Sequence, residues 1–127
     1  MSLQTPLARA RGLGSAKEGL HHWWMQRITA IALIPLALWL IYAIACIADA
    51  GYITVIEEIS SPLNSSLIIS LIIAAFYHAA LGMQVVFEDY ISSKSTRVVC
   101  IVSTNLLLFF LAITGVFSVV RIVLGGH

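Results

Sequence analysis

The chain contains three long runs without a charged residue, at residues 28–48, 59–87 and 98–120. A helix that crosses the hydrocarbon core of a bilayer needs about 20 apolar residues, and each run reaches that length. Near its beginning, at residues 60–66, the second run contains Ser-Ser-Pro-Leu-Asn-Ser-Ser. We interpret this segment as turn chemistry that precedes the helix, so the pattern predicts transmembrane helices near residues 28–48, 66–87 and 98–120.

The composition supports a membrane protein by excluding other classes of protein. The chain is 60% hydrophobic and 10% charged, whereas a soluble domain carries about a quarter of its residues as Asp, Glu, Lys and Arg. The net charge of +1 is scattered, which argues against a nucleic-acid partner. Cys46 and Cys100 lie far apart in apolar runs, so neither a disulfide framework nor a cysteine metal site is indicated. We predict an all-α integral membrane protein with one membrane-anchor domain over residues 1–127.

The basic residues predict the orientation of the chain in the membrane. The N-terminal segment, residues 1–27, contains four Lys and Arg residues, whereas the first loop contains none and is acidic. Because Lys and Arg favour the cytoplasmic side, we expect residues 1–27 in the cytoplasm. The loop that follows Asp89 then lies on the same side, and the C-terminus is periplasmic. Trp23 and Trp24 fall where an interfacial aromatic belt is expected.

One ionisable residue, His78, lies deep inside the second predicted span. It is nine residues before Phe87, about 13 Å by helical rise. Ionisable side chains at such depth are costly and usually face a bundle interior with a specific partner. One hypothesis is a neutral histidine that bridges two helices by hydrogen bonds. The other is an axial ligand of haem iron; small neighbours such as Ala79 and Gly82 leave room for a flat ring but also suit helix packing.

A second group of polar residues is predicted at the cytoplasmic membrane surface. Asp89 follows His78 by eleven residues, which is about three turns plus 20°, so the two share a face if the helix continues that far. Alternatively, Asp89 is part of a solvated helix end and Tyr90 is an ordinary interfacial tyrosine. His21, His22 and Arg27 lie on the same side of the membrane, directly before the first span. Together with Asp89 and Tyr90 they could hold a propionate or a quinone carbonyl. Alternatively, Arg27 only sets the topology.

Two segments make the chain resemble a known family. They are Gly-Ser-Ala-Lys-Glu-Gly-Leu-His-His-Trp-Trp-Met-Gln-Arg-Ile-Thr-Ala at residues 14–30 and His-Ala-Ala-Leu-Gly-Met-Gln-Val-Val-Phe-Glu-Asp-Tyr at residues 78–90. Together with the three-span layout, these segments make the chain resemble the smaller hydrophobic membrane-anchor subunit of succinate dehydrogenase, which is respiratory complex II. The resemblance covers essentially the whole chain. The second segment, H-x-x-x-G-x(6)-D-Y, is the more specific.

The resemblance implies a role for several residues of this chain. His78 would be an axial ligand of the iron of haem b, with Gly82 as the glycine of the pattern beside it. Tyr90 would donate to a ubiquinone carbonyl, with Asp89 next to it. The His and Arg that are six residues apart in the family match His21 and Arg27, near the haem propionates and the quinone pocket. The resemblance gives no role to His22.

The resemblance also implies the partners. A second anchor subunit, of the cytochrome b556 type, would supply the second haem ligand, and the two anchors would form one haem-binding helical bundle. A flavoprotein subunit and an iron–sulfur subunit would oxidise succinate and deliver its electrons to ubiquinone. We expect the bacterial inner membrane as the location. The alternatives are an anchor of a fumarate reductase, with electrons running from quinol to fumarate, and a noncatalytic structural membrane subunit without haem.

Overall fold

Four helices make up the computed structural model, which describes residue 7 and residues 17–125. They are α1 (Lys17–Ile47), α2 (Tyr52–Ser60), α3 (Pro62–Tyr90) and α4 (Lys94–Val123), and this part of the chain contains no strand. Three helical stretches are long and apolar enough to cross a membrane: Gly19–Ile47, Pro62–Tyr90 and Lys94–Val123. The predicted all-α fold with three transmembrane helices is confirmed.

Helix α1 begins well before the predicted span at residues 28–48. Its 31 residues extend about 46 Å, compared with about 30 Å for the hydrocarbon core. The excess length lets the turns that carry His21 and His22 project beyond the core. Pro35 lies inside the helix, as membrane helices tolerate.

Helix α3 begins at Pro62, four residues before the predicted span. Ser61 is its N-cap, and the Ser61 side chain accepts a hydrogen bond of 3.4 Å from the Asn64 backbone N–H. A serine N-cap followed by proline in the first turn is a favourable helix start. The polar segment that we interpreted as a turn is therefore mostly the first turn of the helix. At its other end α3 continues to Tyr90, as the shared face of His78 and Asp89 requires.

The short helix α2 lies in the first loop, for which the sequence pattern predicted no helix. It packs against α3 and α4. Its end is fixed by Asn64, whose side-chain Nδ2 donates to the Glu58 backbone oxygen and to Glu58 Oε2, both at 2.9 Å. These bonds form the corner between α2 and α3.

The bundle is arranged around α3, which packs against both α1 and α4. A Cβ atom built on Gly115 of α4 would lie 3.4 Å from the Ile72 side chain of α3, so the two helices approach closely there. Among the described side chains only Thr29, Ser65 and Val119 are buried. Many large apolar side chains are exposed on the outside of the bundle, which suits lipid and neighbouring subunits rather than water.

Candidate functional site

His78 is joined to α1 by a hydrogen bond inside the bundle. Its ring nitrogen Nδ1 lies 2.9 Å from the hydroxyl oxygen Oγ1 of Thr29. Thr29 is 8% exposed, and His78 is half-buried. Because this bond uses Nδ1, the second ring nitrogen, Nε2, is left for another partner.

Thr29 belongs to a row of polar side chains on α1. His22, Gln26 and Thr29 are spaced i, i+4 and i+7, so they lie on one face of the helix. Gln26 faces α3, because its Nε2 lies 3.6 Å from the position of a Cβ built on Gly82. We call these three residues the α1 polar face.

Two atoms of the α1 polar face are buried and have no hydrogen-bond partner among the described residues: His22 Nε2 and Gln26 Oε1. An unsatisfied buried polar atom costs about 1–3 kcal/mol, so both atoms favour an additional polar group or water between α1 and α3. The sequence pattern placed His22 in the polar group at the membrane surface, but the resemblance gave it no role. The helical spacing of His22, Gln26 and Thr29 was the signal that could have found this face.

His21 and Arg27, the residues that the resemblance favoured, are both exposed. The Arg27 guanidinium carbon lies 5.4 Å from the centroid of the Trp23 ring, a cation–π geometry. The Trp23 and Trp24 rings meet edge to face, with centroids 5.2 Å apart. His21 and Arg27 are therefore available to groups outside this chain and do not line its own interior.

Asp89 and Tyr90 are the last two residues of α3, and both are exposed; Tyr90 is 84% exposed. The continuous helix places Asp89 on the His78 face, about 16 Å along the axis. Arg97 of α4 donates from Nη1 to the Glu88 backbone oxygen at 3.4 Å, which satisfies a carbonyl at the helix end. This contact fixes the end of α3 that presents Asp89 and Tyr90.

The packing of α1 against α3 shows how the predicted site residues are arranged. The helices are antiparallel, and Thr29 lies opposite His78 while Gln26 lies opposite Gly82. Extending this register places Asp89 level with residues 18–19 of α1, and about 12 Å along the axis from Arg27. This register puts His21, Asp89 and Tyr90 at one end of the bundle, whereas Arg27 and His78 lie deeper along the helices.

A separate groove of about 840 Å³ lies between α3 and α4. Its lining is largely apolar, and Tyr77, Gln84 and Asn105 are its polar residues. The volume is within the range of small-molecule sites. His78 does not line it, so the groove occupies a different face of α3 from the Thr29 contact.

The fold and these residues define a multi-pass membrane protein built on three helices, with a histidine tethered inside the bundle. Residues 1–120 match the family described as succinate dehydrogenase/fumarate reductase transmembrane subunit. The chain belongs to this family.

Individual relatives narrow the resemblance. A succinate dehydrogenase hydrophobic membrane anchor subunit of Rickettsia bellii is 42% identical over 100 residues, which cover 79% of this chain and 80% of the relative. The subunit of the same name from Rickettsia prowazekii is 32% identical over 120 residues, or 94% of each chain. A succinate dehydrogenase membrane anchor subunit of Reclinomonas americana is 35% identical over 88 residues, or 67% of this chain and 73% of the relative.

These matches confirm the family that the two sequence segments indicated. The chain is a membrane-anchor component of a succinate dehydrogenase complex, and it functions together with other subunits of that complex in the membrane.

Proposed function

We propose that this chain co-ligates haem b through His78 and forms part of the ubiquinone-reduction site through Tyr90 and Asp89. The observation that carries the proposal is the tethered imidazole of His78. It lies within a membrane-spanning helix, and it is held at Nδ1 by Thr29 at 2.9 Å. Its Nε2 makes no hydrogen bond within the part of the chain that the structure describes, which leaves this nitrogen for iron.

The residues present fit a haem. Histidines that bind metals commonly donate their other ring N–H to a neighbouring oxygen, and Thr29 Oγ1 is in that position. His78 keeps part of its surface exposed, so a neighbouring protein is able to reach it. As the resemblance to the family implies, the second haem ligand would come from the anchor partner of the cytochrome b556 type. Haem b supplies a one-electron redox centre when it is bound.

The end of α3 supplies the quinone chemistry in this proposal. The exposed phenol of Tyr90 donates a hydrogen bond to a ubiquinone carbonyl and polarises it. Asp89 beside it, with nearby water, passes protons to the quinone as electrons arrive. Arg27 is a cation on the same side of the membrane and is available to pair with a haem propionate. His21 is a second exposed polar residue at that end of α1.

The orientation and the remaining partners complete the proposal. The N-terminus lies in the cytoplasm and the C-terminus in the periplasm of a bacterial inner membrane. The flavoprotein and iron–sulfur subunits dock on the cytoplasmic side, next to Tyr90, and deliver the two electrons of succinate. The excess of Lys and Arg before α1 supports this orientation.

Haem content tests the proposal. The purified native complex should contain b-type haem in a fixed ratio to this chain. A fully assembled native complex without haem would contradict it, and would leave the chain as a structural membrane subunit.

A further inference from the structure

We infer that Thr29 is the positioning residue that sets the tautomer and ring orientation of His78, so that Nε2 presents its lone pair to the haem iron. The inference rests on the proposed haem ligation and deepens it. Thr29 lies on α1, acts through His78 and does not touch the haem.

The hydrogen bonds of Thr29 determine which atom carries the proton. Thr29 Oγ1 lies 2.8 Å from the Met25 backbone oxygen and 3.1 Å from the Gln26 backbone oxygen. A hydroxyl has one proton, and a carbonyl oxygen only accepts. When that proton points to the carbonyls, Oγ1 faces His78 as an acceptor. Nδ1 must then carry the imidazole proton, which leaves Nε2 unprotonated.

The surroundings keep this arrangement in place. Thr29 is buried, so water has little access to replace its hydroxyl. Its branched side chain has few rotamers in a helix, and the two carbonyl contacts select one of them. One turn away, Gln26 packs on Gly82 and holds α1 close to α3. The imidazole is therefore oriented within this chain, before any partner subunit binds.

The bond has a consequence for the haem. An N–H donor bond at the second nitrogen makes the ligand more basic, which stabilises ferric over ferrous iron. Loss of the Thr29 oxygen should therefore make the haem easier to reduce. It should also loosen the orientation of the imidazole plane.

Three variants of the complete complex separate the hydroxyl from the shape of the side chain. Thr29→Val keeps the shape and removes the oxygen, whereas Thr29→Ser keeps the oxygen. Thr114→Val is a matched control, because the Thr114 hydroxyl also bonds to its own helix, at Phe110 O, 2.9 Å, and lies on α4. The measurements are a redox titration of the haem and its low-temperature EPR spectrum, at matched subunit content.

We expect Thr29→Val to raise the ratio of reduced to oxidised haem about tenfold at the native midpoint potential, a positive shift of about 59 mV for one electron. Its ferric EPR signal should also move, while Thr29→Ser and Thr114→Val stay near the native values. Loss of haem from Thr29→Val with retention in Thr29→Ser, in equally assembled complexes, would support the same role.

Two results would overturn the inference while leaving the haem proposal intact. One is a Thr29→Val complex with native potential and EPR signal. The other is a Thr29→Ser complex that changes as much as Thr29→Val, since the side-chain shape would then be responsible. A native complex that contains no haem would instead overturn the proposed function, and the role of Thr29 with it.

Discussion

Tyr90 has a phenol oxygen at the membrane surface with almost no cover from its own chain. It is 84% exposed at the last position of α3. An interfacial tyrosine that only anchors a helix has the same exposure, so exposure alone does not distinguish anchoring from quinone binding. The role of the hydroxyl distinguishes the two, because only quinone binding requires the Tyr90 hydroxyl to donate a hydrogen bond.

Replacing Tyr90 by Phe should lower succinate–ubiquinone reductase activity about tenfold, the equivalent of about 1.4 kcal/mol for one lost hydrogen bond. The haem spectrum should not change, since Tyr90 lies about 18 Å along the axis from His78. A steady-state assay with a soluble ubiquinone analogue measures this. Tyr52→Phe is the control, because Tyr52 is also exposed but opens α2 on the other side of the bundle. Activity of Tyr90→Phe equal to that of the control would count against the proposed role.

At the residue scale the sequence predicted His78 but not its partner. An ionisable residue inside an apolar run can be recognised from the sequence alone, and its depth in the membrane follows from the helical rise per residue. Thr29 lies 49 positions away and is an ordinary polar residue near a span end. The pairing depends on the register between α1 and α3, which no local pattern specifies. His21, rather than His22, was favoured for a different reason: the resemblance matches a His and an Arg that are six residues apart, as His21 and Arg27 are.

At the element scale, α3 depends on close approach to α4. A Cβ atom built on Gly115 would lie 3.4 Å from the Ile72 side chain, the distance of an ordinary van der Waals contact. Membrane helices associate through small residues of this kind, since lipid offers no hydrophobic driving force between them. The position therefore accepts a methyl group and little more.

Gly115→Leu should force α3 and α4 apart at Ile72 and destabilise the complex by about 1–3 kcal/mol, as overpacking usually does. Thermal unfolding of the detergent-purified complex, with haem absorbance as an independent probe, measures the loss. Gly115→Ala is the matched control and should stay close to native. Equal stability of the two variants would show that α3 and α4 do not rely on this contact.

The helix boundaries show where a local signal was present and misread. Ser61 and Pro62 stand in the N-cap and first-turn positions of α3, which a search for helix starts would find. We interpreted the cluster of Ser, Pro and Asn as a turn. The short helix α2 was missed for a different reason: nine residues carry too little periodic signal, and α2 is stabilised by packing on α3 and α4.

At the scale of the whole molecule, the chain has large apolar surfaces and very few buried side chains among the residues that the structure describes. That arrangement suits a subunit whose neighbours are lipid and other subunits. Three spans were predictable because each is a long run without charge. How the spans pack was harder to predict, because α3 and α4 are largely apolar around their circumference and only the α1 polar face marks an inward side.

The topology can be measured with single cysteines. Starting from Cys46→Ala and Cys100→Ala, one variant carries Thr54→Cys in α2 and another carries Ser92→Cys between α3 and α4; both positions are exposed. With the N-terminus in the cytoplasm, a membrane-impermeant maleimide added to intact spheroplasts should label Thr54→Cys and not Ser92→Cys. After detergent treatment Ser92→Cys should react as well. The opposite labelling in intact spheroplasts would invert the orientation and separate Tyr90 from the cytoplasm.

Haem ligation by His78 can be tested with a dithionite-reduced minus oxidised visible spectrum of the purified complex, native against His78→Ala, at matched subunit content. We predict a b-type haem signal in the native complex that is lost or strongly altered in the variant. A native signal that His78→Ala leaves unchanged in position and amplitude would contradict the ligation, because the haem would then be bound without His78.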